Sequence, residues 1–187
     1  MKVAAIQALF ANNNFASARR IEGIATELRG AGLLPKGGRG PHAPDANEAH
    51  AALFALAVAG AERVQDAVST AITVKKMVDE KGMDVFFALS HAIGDPIMAA
   101  MIRRVQVWPF GAEITWRHPG EADHVQRFFE PATWGLEHFD PESCGSTFAG
   151  RIGHIGGGVV DQLALKFQER EDEGAGWSGD RQIVETV

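Results

Sequence analysis

The sequence predicts an α+β fold: an N-terminal helix-turn-helix-like region, then further helices and a small antiparallel β-hairpin or sheet. Three observations predict it. Up to about residue 98, apolar side chains recur at three- and four-residue steps, the period of helices lying on a core. At residues 102–108 and 112–117 the pattern changes to alternation, the period of a half-buried strand. Between those two runs sits Pro109-Phe110-Gly111, a short turn signal that makes them a hairpin.

The elements follow in order. Residues 2–11 place Val3, Ile6, Leu9 and Phe10 near one helical face. Asn12, Asn13 and Asn14 interrupt the pattern, and Asn14 is the expected N-cap of the next helix. That helix spans residues 15–30, with Phe15, Ala18, Ile21, Ile24, Ala25 and Leu28 as its buried stripe. Gly30, Gly32 and Pro35 stop it. Asp45 is the expected cap of a helix over residues 46–60. That segment is apolar nearly all round, so it lies in the core or in an oligomer interface. A further helix is predicted over residues 61–82, and a short one over 83–96 with Asp84 near its start. Residues 124–130 form a third strand candidate, and 140–150 read as loop. Residues 159–168 read as a final helix with Val160, Leu163 and Phe167 on one face; an acidic, frayed tail is expected from Glu169.

Length and composition set the limits. A chain of 187 residues, 45% hydrophobic and 22% charged, can bury a substantial core. The longest apolar run, residues 49–61, is too short to span a bilayer. The start MKVAAIQALF lacks the pattern of a signal peptide, so the expected location is the cytoplasm of a bacterial host cell. One cysteine, Cys144, excludes an intramolecular disulfide and a multi-cysteine zinc site.

Net charge is −6, but it is unevenly distributed. Residues 1–44 carry six basic and two acidic side chains, a balance of +4; the other 143 carry 12 and 22, a balance of −10. A basic end on an acidic body suits an anionic partner and orients it. In the stretch FASARRIEGIATELRGAGLLPKGGRG, the stripe facing the core leaves Ala16, Arg19, Gly23, Thr26 and Glu27 outward, with Arg20 at the edge. Arginines in the first turns of a recognition helix meet guanine edges or phosphates, and a small Gly23 allows close approach to DNA. Lys36 and Arg39 then lie on a glycine-rich loop, the form in which a wing or arm reaches the backbone or minor groove. The bland alternative is an ordinary surface helix and turn. The features combined with the local positive charge favour double-stranded DNA as partner, with Arg19, Arg20, Gly23, Thr26, Lys36 and Arg39 as contacts.

Other chemistry is weakly supported. Glycines 150, 153, 156, 157 and 158 precede a helix, yet they lack the Gly-Lys-Ser/Thr ending of a P-loop, so a structural turn or bulge is favoured. His42, His50, His91, His118, His124, His138 and His154 form no i, i+4 helical pair, and His118 with His124 or His138 with Asp140 are poor metal candidates. Cys144 has no His or Asp partner fixed by spacing. Trp108, Phe110, Trp116, Phe128 and Phe129 are expected in the core. No catalytic residue, metal or cofactor is assigned, and the chain is not expected to be an enzyme.

The stretch ELRGAGLLPKGGRGPHAPDANEAHAALFALA, matched over residues 28–57, resembles one in a family of small phage- and prophage-encoded helix-turn-helix DNA-binding proteins. In that family a helix ends in LR-x-AGLLP, followed by GGRG, a His or Pro turn and a helix ending in an apolar run. The resemblance implies a DNA-binding role in phage or prophage transcription regulation. The alternative is an assembly protein such as the DNA-recognising small terminase-like subunit of a packaging motor. Either would form a homo-oligomer, contacting transcription or packaging machinery. The expected organisation is a DNA-binding region over residues 1–44, an oligomerisation or partner-binding body over 45–168, and a flexible tail over 169–187.

Overall fold

A computed structural model describes residues 1–36, 42–130 and 153–175. Within them the fold is α+β, with seven α-helices and a four-stranded antiparallel sheet. The helices are α1 (Val3–Asn12), α2 (Ala18–Gly30), α3 (Glu48–Gly60), α4 (Ala67–Val74), α5 (Val85–Gly94), α6 (Pro96–Met101) and α7 (Gly157–Ala175). The strands are β1 (Ile102–Trp108), β2 (Gly111–Trp116), β3 (His124–Phe129) and β4 (Gly153–Gly156), in spatial order β3-β2-β1-β4. No helix among the described residues is long and apolar enough to cross a membrane.

Helix α3 is the centre of the molecule. Every residue from Ala51 to Ala59 is buried, and the helix packs against α2, α4, α5, β1 and β4. Its nearly uniform apolar surface is therefore used within one chain, in the core rather than between subunits. Small alanines bring neighbouring backbones close: a Cβ on Gly153 of β4 would lie 1.7 Å from the Ala59 carbonyl oxygen. A single buried cluster joins α1 to α7, and Phe10 of α1 meets Phe54 of α3 edge-on at 5.3 Å. The first two helices are thus built into the same core as the body.

The sheet presents Val105, Val107, Ala112, Ile114, Phe128 and Ile155 to the helices, all fully buried and in register across the strands. The opposite face pairs Gln106 with Glu113 and Glu113 with Arg127. Glu113, only 6% exposed, is satisfied there by Arg127 at 3.3 Å and Arg104 at 3.9 Å.

Several local expectations are corrected. Asn14 does not cap α2; it adopts a left-handed conformation (φ 57°), and Ser17 Oγ accepts the Arg20 N–H instead. Phe15 and Ala16 precede the helix and pack on the core, while Ala18 is exposed. Asp45 does not cap α3, because its carboxylate pairs with Lys2 at 3.2 Å and with Arg170. Asn47 caps it reciprocally with His50, whose backbone N–H it accepts at 3.0 Å.

Residues 61–82 are not one helix. A 3-10 turn (Val64–Asp66) precedes α4, which ends at Val74. Val78 then exchanges two backbone hydrogen bonds of 2.9 Å with Phe129, so tertiary pairing outweighs the helical period. Residues 96–101 form α6, with Pro96 in its first turn and Asp95 capping it. Strand β2 starts one residue earlier than expected, at Gly111, because Trp108 pairs with Gly111 across a two-residue turn. Phe110, at the tip of that turn, is 53% exposed rather than core. Residues 153–156 are a strand, not a turn or bulge, and α7 continues through the start of the expected tail to Ala175. Arg39, His138, Asp140, Cys144 and the loop at 140–150 lie outside the described residues.

Candidate nucleic-acid interface and an apolar cavity

Helix α2 buries Ile21, Ile24, Ala25 and Leu28, as the apolar period requires. Its C-terminal end explains the Gly-Leu-Leu-Pro run. Gly32 has φ 77°, a left-handed conformation that favours glycine. The chain then reverses so that Leu33 and Leu34 both donate to the Leu28 carbonyl, at 2.9 and 3.3 Å. Leu34 is 2% exposed and anchors the turn before Pro35.

The six expected DNA contacts divide sharply. Arg19 and Lys36 are exposed, and their side chains make no hydrogen bond or ion pair among the described residues. Arg20 is half-buried, and its guanidinium donates to the carbonyls of Ala61 and Glu62, the latter at 3.1 Å. These carbonyls follow the C-terminus of α3, where a cation meets the negative end of the helix dipole. Arg20 thereby clamps α2 to the end of α3. Gly23 is covered too: a Cβ there would sit 2.9 Å from Val64 Cγ1. Its smallness admits the protein's own 3-10 turn. Thr26 is exposed, with Oγ1 donating to the Glu22 carbonyl at 2.9 Å. Arg39 lies outside the described residues.

Other basic groups of the N-terminal segment are also engaged. Arg29 donates to Gln7 at 3.0 Å, joining α1 to α2, and Lys2 pairs with Asp45. The exposed face of α2 then carries Arg19 with Glu22 and Glu27. Two carboxylates on that face oppose its insertion along a groove lined by phosphates.

A second feature was not singled out from the sequence. A cavity of about 490 Å³ lies between the β2–β3 end of the sheet and helices α5 and α6. Its apolar wall is Met83, Phe87, Ala88, Met98, Met101 and Trp116. Its polar groups are His91, His118, His124 and Gln126. Gln126 is held from both sides: it accepts Trp116 Nε1–H at 3.0 Å and donates to Asp79 at 2.8 Å. Asp79 also accepts the N–H groups of Lys81 and Met83. Burial pushes its carboxyl upward, but hydrogen bonds from Gln126, Met83 and Lys81 outweigh that and hold it below the ordinary value. The alternation of His124, Gln126 and Phe128 was a usable signal, since period two puts all three on one face.

No family model, curated protein or solved structure matches the chain.

Proposed function

We propose that the protein binds double-stranded DNA, holding phosphates through the exposed cations Arg19 and Lys36 rather than laying α2 in a major groove. The observation that carries this is the exposure of those two cations on the segment whose charge balance is +4, next to a body of −10. Phosphate contacts need charge and reach, not a rigid reading face. Arg20, bonded to the end of α3, and Gly23, packed against Val64, are not assigned to this interface.

In this reading the protein is a phage or prophage-type transcriptional regulator acting in the cytoplasm of the bacterial host, as the resemblance over residues 28–57 implies. The packaging-subunit alternative differs in assembly: a dimer in solution favours regulation, a ring of eight or more favours packaging.

The test is a salt titration of duplex binding by the parent and by Arg19→Ala/Lys36→Ala. Each phosphate contact removed should lower the slope of log K against log salt by about 0.9, equally on any sequence. An unchanged affinity and slope in the folded double variant would remove the proposal.

A further inference from the structure

The cavity between α5, α6 and the β2–β3 end of the sheet has the features of a ligand site, independent of DNA binding. Its volume of about 490 Å³ falls within the range that encloses small organic molecules. Three of the chain's five methionines, Met83, Met98 and Met101, line it. Methionine is polarisable and changes rotamer at little cost, so such a wall adapts to apolar bodies of varied shape. Trp116 and Phe87 supply flat surfaces, and Phe87 and Met83 are 54% and 41% exposed, so the cavity opens to solvent on their side.

The polar groups decide the head group. The amide of Gln126 accepts from Trp116, donates to Asp79 and lies 3.9 Å from Met83 Sδ, so it is held as part of the wall. Asp79 sits behind it, with three N–H donors already in place. The lining residues include no Asp, Glu, Lys or Arg. What remains is imidazole. His118 follows β2 and His124 begins β3, and Arg117 and Asp123 between them close on each other as an ion pair. His91, the third ring on the lining, already has Nδ1 3.1 Å from Met98 Sδ, whereas the exposed rings of His118 and His124 come to the same cavity with no side-chain partner among the described residues. Imidazole N–H groups favour an anionic acceptor most, because such hydrogen bonds are charge-assisted.

We propose that this cavity binds a small amphipathic carboxylic acid. Its apolar body lies against Met83, Met98, Met101 and Trp116, and its carboxylate accepts hydrogen bonds from His118 and His124.

The test uses the full chain, labelled at its methionine methyl groups and titrated with decanoate, decanol and decylamine. Decanoate should shift the Met83, Met98 and Met101 resonances and leave the core Met77 still. It should bind more tightly than either uncharged or cationic analogue. His118→Ala/His124→Ala changes only exposed side chains, so its melting temperature should match the parent. It should weaken decanoate about tenfold and leave decanol unchanged. No shift with decanoate, equal binding of all three probes, or an unaltered decanoate affinity in the double variant would each overturn the proposal. So would methyl shifts produced by a short apolar peptide and not by decanoate, which would make the cavity a protein-docking groove.

Discussion

Gln126 of β3 donates to the buried carboxylate of Asp79 at 2.8 Å, tying the strand to the turn that follows α4. That one bond orients the amide, and the amide's oxygen in turn receives Trp116 Nε1–H. A turn residue thereby sets the shape of a cavity wall on the sheet.

Replacing Asp79 by Asn keeps the shape but loses the charge and faces an amino group toward N–H donors. The cost should be about 1–3 kcal/mol in denaturant unfolding. Because the folded carboxyl is held below the ordinary value of 3.8, its contribution is full above that pH and is lost as pH falls through the lower folded value. Parent and variant should therefore converge in stability in strong acid; a constant gap down to acid unfolding would contradict the assignment.

Arg20 and Arg19 are neighbours in opposite surroundings: the first is bonded to the end of α3, the second is exposed. Arg20→Ala leaves the carbonyls at the end of α3 without their donor, and should destabilise the fold by about 1–3 kcal/mol. Arg19→Ala should leave the melting temperature alone and lower DNA affinity. Calorimetry and duplex binding on the same two variants check both halves. A stable Arg20→Ala protein with selective loss of DNA binding would reverse the assignment.

The two glycines that open α7 can be separated by one alanine each. A Cβ on Gly157 would lie 1.6 Å from the Ile102 carbonyl oxygen, whereas Gly158 has nothing within 4 Å. Gly157→Ala should cost at least about 3 kcal/mol or prevent folding, since backbone cannot yield as a side chain does. Gly158→Ala should be neutral or stabilise by up to about 1 kcal/mol. Equal tolerance at both positions, measured by thermal unfolding, would mean that the start of α7 does not lie against Ile102 as described.

His50 should report mild acid. Its Nδ1 accepts the Asn47 N–H at 3.2 Å, a bond available only to the neutral ring. Burial lowers its pKa below the ordinary 6.5, partly countered by Glu48. With the folded value depressed, stability is full above 6.5 and falls as pH drops through the folded value. His50→Gln should flatten the slope of melting temperature against pH in that window.

Elements whose periodicity is settled locally were legible in the sequence. All four side chains expected to be buried on α1 are buried, and the β1–β2 hairpin forms at the expected turn. What failed depended on distant partners. Asp45 is drawn away from α3 by Lys2 and Arg170, and Val78 leaves a helical pattern to pair with Phe129. The site suffered most for the same reason. Periodicity identified the outward face of α2 but not that a turn some 40 residues on would cover Gly23 and engage Arg20. The cavity draws on residues 83–91, 98–101, 116–118 and 124–126, and no one of these segments announces it.

The strand order carries a consequence for how the chain reaches this fold. β1, β2 and β3 are consecutive and can pair as soon as they exist, but the other edge of β1 waits for residues 153–156. Until they arrive, Arg104–Val107 present free N–H and C=O groups, an open template for a strand from another molecule. The late partner is short and glycine-rich, and it docks only where Gly153 can lie against the finished α3. Closure of the sheet is thus coupled to completion of the helical core.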